Sequence, residues 1–468
     1  MSWWRDSPCL ETVKPGHPQS IASAVESPRL RPRDFDRATN PRVWWVVGIV
    51  LTLVAIAGSV ALGGHHRHDP HFDVSDEAAH YAYVISLQDG HIPRFGDTLT
   101  LRERNMEDCL ESVGSLPALC GESPGQVSQY PAGGYDYEAQ QPPIGYLPYA
   151  LTANPNAPVH QAIASARHGG IIWVAISGVI VLLFAAAEGL SLLALSGMLA
   201  TCLLNPVFTY AAATVTNDAA AVAAGSLALL AWSWSRNRPS LARWVGLGSG
   251  ILIGLTKGTF VVVPFALVVA ALIDEWGLLS KPRGWLQAAR SHQCELAMLV
   301  GSGAAYVGFT LFQEARATVS PSIVLHSLLG FSQSSGVQLS TISQGITDGL
   351  NLFQPYYPFD AFNAIWGMCV FGVLVSVWFL QIPGAVAKKV RGLSVGVLAA
   401  MLALAAGWPV LLFLQGHYNL SSAVRYNLPL VPLIAYVVVR GCRRFGLIVV
   451  GLVLPVGAAA IQLIAGKY

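Results

Sequence analysis

The chain has 468 residues, of which 53% are hydrophobic and only 12% charged, and its formal net charge is +2. Soluble domains average about 25% charged residues, and nucleic-acid-binding domains carry a strong basic excess. The composition therefore excludes a soluble enzyme and a nucleic-acid binder. Many apolar runs reach roughly 18–20 residues, enough to cross a hydrocarbon core about 30 Å thick. These features predict an all-α polytopic membrane protein.

The first part of the chain divides into three segments. Residues 1–42 are polar, rich in Pro and Arg, and are predicted to form a disordered cytoplasmic N-terminus. The apolar run 43–64 is too long and too far from the terminus for a cleavable signal peptide, which predicts an uncleaved first transmembrane helix. A polar segment of about a hundred residues, 65–169, follows it.

After this loop the apolar runs follow closely, and the pattern predicts about eleven transmembrane helices in all. Helices two to seven are expected within 170–312, a second large loop at 313–361, and helices eight to eleven within 362–468. The ten later runs are 170–187, 190–209, 217–234, 244–256, 258–273, 295–312, 362–381, 393–414, 428–439 and 446–466.

The placement of Lys and Arg predicts the orientation. With the N-terminus inside, 19 of the 28 Lys and Arg residues fall in cytoplasmic segments, as the positive-inside rule requires. Both large loops, 65–169 and 313–361, then face outward, so function is expected at the outer face. Arg (22) far outnumbers Lys (6), which favours a high-GC bacterial source and a bacterial plasma membrane.

The densest cluster of reactive side chains is HFDVSDEAAHYAY, residues 71–83. Ser75 is a good helix N-cap, which would place Asp76 and Glu77 in the first helical turn. Residues four apart share a helix face, so Asp76 would lie beside His80, and Glu77 beside Tyr81. A carboxylate there can deprotonate a hydroxyl or hold a divalent cation. The alternative is a solvated acidic helix start.

A second candidate segment is YEAQQPPIGYLPYA, residues 137–150. The amides of Gln140 and Gln141 suit sugar hydroxyls, and the two prolines that follow prevent a helix and favour an extended turn. The tyrosines are equally typical of an interfacial aromatic belt.

Several polar residues lie at membrane depth, where ionisable groups are costly and often functional. Asn217 and Asp218 open one apolar run, Lys257 interrupts another, and Arg425 precedes a third. Cations at the outer interface would suit a lipid phosphate. The alternative is snorkelling or mutual pairing, for instance of Asp218 with Lys257.

Two of the seven cysteines, Cys109 and Cys120, lie together in the first polar loop. A disulfide between them is plausible if the loop is outside the cell. The sequence leaves both the paired and the free state open.

Taken in order, these motifs resemble the C-type (GT-C) membrane glycosyltransferases, and more narrowly a bacterial branch of predicted polytopic membrane proteins. The matching segments are SDEAAHYAYVISLQDGHIP, EAQQPPIGYLPYA, TVTNDAAA, GLTKGTF and VRYNLPLVP. The resemblance implies a GT-C-like helix bundle with a large first extracytoplasmic loop. It also implies transfer of a sugar from a polyprenyl-phosphate donor to a glycan or lipid-linked acceptor at the outer membrane face.

The resemblance also implies roles for single residues. Asp76 would be the general base or a metal-linked carboxylate, with Glu77 assisting, and Lys257 and Arg425 would bind the donor phosphate. The remaining implied substrate contacts are His80, Tyr81, Gln140, Gln141, Asn217, Asp218 and Tyr426. Residues 313–361 lack the acidic pair that some relatives use for metal, so dependence on Mg²⁺ or Mn²⁺ stays open.

Two other functions remain open alongside the transferase. One is a secondary transporter or a flippase of lipid-linked sugars, although no internal repeat is evident and the polar residues cluster towards one end. The other is a catalytically inactive scaffold of the envelope machinery. Membrane lipids are expected partners in each case, and nucleic acid in none. The chain has no Walker loop, dinucleotide fingerprint or nucleophile elbow.

Overall fold

The computed structural model describes residues 40–69, 72, 76–110, 125–276, 284–320, 323–324, 337–350, 385–416 and 424–441. Within these ranges all named elements are helical, and the one β contact is an isolated bridge between Thr98 and Tyr135. The predicted N-terminal segment 1–42 lies almost entirely outside the described residues.

Helices account for most of the described chain. The α-helices are α1 (Pro41–Leu62), α2 (Gly64–His68), α3 (Glu77–Gln88), α4 (Leu101–Leu110), α5 (Leu147–Thr152), α6 (Val159–Arg167), α7 (Gly169–Ala187), α8 (Leu192–Leu203), α9 (Pro206–Ala211), α10 (Ala221–Asn237), α11 (Ala242–Gly254), α12 (Val262–Asp274), α13 (Gly284–Ser291), α14 (Gln293–Arg316), α15 (Leu339–Leu350), α16 (Ala385–Leu402), α17 (Trp408–Gly416) and α18 (Val431–Gly441). A π-helical turn, Ala403–Gly407, joins α16 to α17.

Among the described residues, four stretches are long and apolar enough to cross a membrane, so this part of the chain is that of an all-α membrane protein. They are Pro41–Leu62, Val159–Ala187, Gln293–Arg316 and Lys388–Leu411. Two shorter apolar helices are Leu192–Leu203 and Gly258–Asp274. The described residues do not establish the predicted total of eleven spans, and two predicted spans, 362–381 and 446–466, lie outside them.

One predicted span is broken where the sequence carries Asn-Pro. The apolar run 190–209 forms α8 and then α9, and Pro206 opens the second helix. Proline has no N–H to continue the preceding helix. Asn205 caps α9, because its side-chain oxygen accepts a hydrogen bond from the N–H of Phe208 at 3.1 Å. Periodicity alone did not reveal this break.

Three further apolar runs open with a 3₁₀ turn. These turns, Asn217–Ala220, Gly258–Val261 and Val424–Leu430, precede α10, α12 and α18 respectively. Asn217 is the first residue of its turn, Lys257 immediately precedes the second turn, and Arg425 is the second residue of the third. The irregular helix starts therefore carry the predicted polar residues. The predicted outward loop 65–169 likewise contains helices, among them α3 and α4.

Helices α11 and α14 approach closely along a stripe of glycines. Gly246, Gly250 and Gly254 are four residues apart, and a Cβ at each would clash with the backbone carbonyl of Cys294, Met298 or Ser302, respectively. Small residues at this spacing let helix backbones come together in membranes. The stripe therefore sets the distance between these two helices.

The helices give the bundle two distinct ends. Asp218 lies just before α10, and Arg236, in the last turn of α10, contacts Glu188, which caps the end of α7. Helix α10 has 17 residues, a length of about 25 Å at 1.5 Å per residue. We call these the Asp218 end and the Glu188 end.

Candidate functional site

Asp76 lies at the start of α3. It is the N-cap residue, so the helix begins at Glu77, one residue later than a cap at Ser75 would require; Ser75 lies outside the described residues. The backbone carbonyl of Asp76 accepts a hydrogen bond from the N–H of His80 at 3.1 Å. The His80 Nε2 atom lies 3.8 Å from Asp76 Oδ2. The two side chains therefore share one face of the helix.

Arg425 connects Asp76 to the membrane helices. Its guanidinium donates a hydrogen bond to Asp76 Oδ2, and its Nε lies 3.3 Å from Asp218 Oδ2. The Arg425 side chain is 29% exposed, whereas that of Asp218 is fully buried. Arg425 therefore joins two carboxylates that are 142 positions apart in the sequence and keeps some access to solvent or ligand.

Lys257 completes the charged group from the other side of Asp218. Its Nζ donates to Asp218 Oδ1 at 2.6 Å and to Asn217 Oδ1 at 2.8 Å. The same nitrogen lies 5.2 Å from the centre of the Tyr426 ring, within cation–π range. The mutual pairing of Asp218 with Lys257, weighed above as an alternative to ligand binding, is present in the structure.

His80 is held by a network of buried hydrogen bonds. The Tyr146 hydroxyl donates to Glu138 Oε2 at 2.9 Å and lies 2.7 Å from His80 Nδ1. Because the one proton of that hydroxyl goes to Glu138, His80 donates from Nδ1 to the Tyr146 oxygen. Its Nε2 then faces the Thr216 hydroxyl at 3.4 Å. We refer to Asp76, His80, Glu138, Asp218, Lys257 and Arg425 as the Asp76 cluster.

Glu77, the neighbour of Asp76, lies in a separate buried ion pair. Both of its oxygens accept hydrogen bonds from Arg167, at 2.8 and 2.6 Å, and both side chains are fully buried. The N–H of Val215 also donates to Glu77. Arg167 further donates to the backbone carbonyls of His66 and Asp69. This arrangement suits a structural clamp that fixes the start of α3.

The remaining predicted substrate residues lie around this cluster in different ways. Tyr81 is buried, its ring 6.5 Å from that of Phe72, and burial raises the pKa of its hydroxyl to about 12. Gln141 contributes its backbone carbonyl, which accepts from the Tyr83 hydroxyl at 2.9 Å. Gln140 ends the 3₁₀ turn that carries Glu138.

Sequence reasoning missed three residues that the structure places here. Glu138 and Tyr146 belong to the segment 137–150, in which the sequence singles out the two glutamines and assigns the tyrosines to an interfacial aromatic belt. Glu138 is the one acidic residue of that segment, which was the available signal. No signal in the sequence marks Arg167, because its partner Glu77 is 90 residues away.

The charges of the Asp76 cluster nearly balance. Burial would raise the pKa of Asp76, but the Arg425 guanidinium and His80 outweigh burial and hold that pKa well below its usual range. The described cluster has three carboxylates against Lys257 and Arg425, which leaves one negative charge when His80 is neutral. Asp76 is therefore an ionised but weak base while Arg425 remains on it.

A divalent metal ion does not fit this arrangement. The two carboxylates closest to the cations, Asp76 and Asp218, are already engaged by Arg425 and Lys257. Across the described ranges no group of three or more His, Cys, Asp or Glu side chains is arranged to hold a metal. We therefore derive no step through a metal ion.

Cys109 is disulfide-bonded. Its predicted partner, Cys120, lies outside the described residues, so the identity of the pair stays a prediction. Cys202 and Cys294, both buried in the bundle, are free thiols.

Comparison of the chain with known protein families, with curated proteins and with solved structures finds no match in any of the three.

Proposed function

We propose that this protein is a membrane glycosyltransferase of GT-C type, which transfers a sugar from a polyprenyl-phosphate donor to a cell-envelope acceptor at the outer face of the bacterial plasma membrane. The observation that carries the proposal is the contact between Asp76 and Arg425. It sets a carboxylate able to accept a proton beside a cation able to hold a phosphate, at one end of a membrane bundle.

Helix starts add to the attraction for an anion. Asp76 caps α3, Asp218 and Arg425 lie just before α10 and α18, and Lys257 caps the 3₁₀ turn that leads into α12. Each helix N-terminus carries about half a positive charge, and such ends favour phosphate groups. These partial charges offset the single excess negative charge of the Asp76 cluster.

In this proposal, donor binding and activation of the base are linked. The donor phosphate takes over hydrogen bonds of Arg425, and Asp76 loses the cation that lowers its pKa. The pKa of Asp76 then rises, which makes it a better proton acceptor near neutral pH. Exchange of a carboxylate for a phosphate on Arg425 leaves its charge paired throughout.

The transfer step is a direct displacement. Asp76 removes the proton of an acceptor hydroxyl as that oxygen forms a bond to the anomeric carbon of the donor. The bond from this carbon to the phosphate oxygen breaks, and its electron pair leaves with the polyprenyl phosphate. Lys257 and Arg425 hold the developing charge. A single displacement inverts the anomeric configuration.

A proton-linked secondary transporter or a flippase of lipid-linked sugars is the second candidate. The observation that favours it is the continuous chain of ionisable groups from Lys257 through Asp218 and Arg425 to Asp76 and His80, because such chains occur in proton relays. Against it, the sequence shows no evident internal repeat of the kind on which many transporter folds are built.

A transfer assay separates the two candidates. Purified protein in nanodiscs is given a panel of radiolabelled polyprenyl-phosphate sugars with membrane extract as acceptor. The transferase account expects covalently transferred label from at least one donor. Label that crosses sealed vesicles containing the protein without covalent transfer would support the transporter instead.

A further inference from the structure

Three basic side chains surround one carboxylate at the Glu188 end of the bundle. Lys389 donates to Glu188 Oε2 at 2.9 Å, and Arg236 donates to Glu188 Oε1. Arg440 donates to the Glu188 backbone carbonyl at 2.6 Å and lies 3.6 Å from its carboxylate. Tyr436 donates its hydroxyl to the same carboxylate at 2.7 Å. We call these five residues the Glu188 cluster.

The Glu188 cluster carries more positive charge than its carboxylate can balance. Arg236 and Arg440 alone exceed the single carboxylate by one positive charge, and Lys389 adds to this excess when it is protonated. A further carboxylate, Asp274, lies near enough to interact with Lys388 and Lys389, but among the described residues it makes no ion pair with the cluster. Like charges held this close in a medium of low dielectric constant repel strongly. An additional anion at this position would relieve that repulsion.

The cations are placed so that an anion can reach them. The side chain of Arg236 is 41% exposed, that of Lys389 is 15% and that of Arg440 is 14%. The Arg440 Nε atom is buried and has no hydrogen-bond partner among the described residues. The cluster thus combines one exposed guanidinium, that of Arg236, with two more buried cations, Lys389 and Arg440.

The surroundings indicate that the anion belongs to a lipid. Trp234, two residues before Arg236 on α10, is 56% exposed. Exposed tryptophans on membrane proteins typically lie at headgroup level, and basic pockets between helices bind anionic headgroups. The cluster is also a helix length, about 25 Å, from the Asp218 end.

We infer that the Glu188 cluster is a binding site for the phosphate headgroup of an anionic membrane lipid, separate from the Asp76 cluster. The lipid phosphate lies against Arg236 and neutralises part of the excess charge on Lys389 and Arg440. Its occupancy ties together α7, α10, α16 and α18, which meet at this point. This site does not depend on the proposed transferase activity.

The test measures thermal unfolding of the full chain in neutral maltoside micelles during titration with lipid. Phosphatidylglycerol is expected to raise the unfolding midpoint in a saturable way. Phosphatidylcholine and inorganic phosphate are the comparison arms, and neither is expected to do so at equal concentration. A similar rise with phosphatidylcholine would overturn the anionic requirement, and a similar rise with inorganic phosphate would overturn the assignment to a lipid.

Two matched variants locate the effect. Arg236→Gln is expected to shift the half-saturating concentration of phosphatidylglycerol upward about tenfold, the equivalent of one lost charge-assisted contact. Arg243→Gln is the control, because Arg243 lies over Trp244 and not on Glu188. Equal titrations for Arg236→Gln and wild type, or equal losses in both variants, would contradict the site.

A measurement on wild-type protein alone tests the site even if the Arg236→Gln variant does not fold. Native mass spectrometry after exchange into an equal mixture of the two lipids is expected to show preferential retention of phosphatidylglycerol. Equal retention of phosphatidylcholine would contradict the inference.

Discussion

Asp76 and Glu77 are adjacent in sequence, but their carboxylates face different arginines. Asp76 contacts Arg425, which is partly exposed, and Glu77 is locked by Arg167 in a pair that is fully buried. One carboxylate can therefore exchange partners with a ligand, while the other fixes the helix that carries it. In the proposed function, Asp76 is the reactive residue of the Asp-Glu pair and Glu77 is the structural one.

The Glu77–Arg167 pair predicts a large loss of stability when one partner is removed. Glu77→Gln leaves the buried guanidinium without its counter-charge, and breaking a buried pair in this way costs about 3–5 kcal/mol. Thermal unfolding in detergent should show a midpoint far below that of wild type, or little folded protein. A variant as stable as wild type but inactive in transfer would instead give Glu77 a direct role in catalysis.

Asp136 predicts a stability that depends on pH. Burial, reinforced by Glu103, Glu138 and Asp97, raises the pKa of Asp136 well above its ordinary value of 3.8, and its Oδ1 has no hydrogen-bond partner among the described residues. The folded state therefore holds this proton more tightly than the unfolded state, so stability falls as pH rises above about 4.

Asp136→Asn removes that penalty. The variant should unfold at a higher temperature than wild type at pH 8, and the difference should shrink towards pH 4. Unfolding curves at several pH values measure it. A variant that is less stable than wild type at pH 8 would show that the carboxylate is needed in its ionised form.

The glycine stripe of α11 predicts a contrast between two neighbouring positions. Gly250→Leu places a side chain against the backbone of Met298 and forces α11 and α14 apart, whereas a Cβ at Gly248 meets no atom within 4 Å. Overpacking costs about 1–3 kcal/mol or more. The unfolding midpoint should drop for Gly250→Leu and stay near wild type for Gly248→Leu. Equal effects would mean that lipid contact, not helix packing, decides both.

The local sequence pattern was enough to predict the class of protein and several residues of the Asp76 cluster. Apolar runs predicted the membrane helices, and the cost of charge at membrane depth singled out Asp218, Lys257 and Arg425. These residues could be recognised one at a time because each departs from its own neighbours.

The pairings were beyond such reasoning because their partners are distant in sequence. Arg425 reaches Asp76 across 349 positions, and no periodicity encodes that contact. The break before Pro206 and the 3₁₀ starts of three helices also depend on capping and tertiary packing. The roles of Glu138 and Tyr146 emerged only when His80 was placed against them.

The most direct test of the account compares two carboxylate variants of the first loop in one transfer assay. Asp76→Asn should fold into the membrane as wild type does and lose at least about 100-fold in transfer rate, the contribution typical of a general base. Asp97→Asn removes a carboxylate that contacts Arg94 instead, and it should retain transfer. Wild-type turnover by folded Asp76→Asn protein would contradict the assignment of Asp76 as the base.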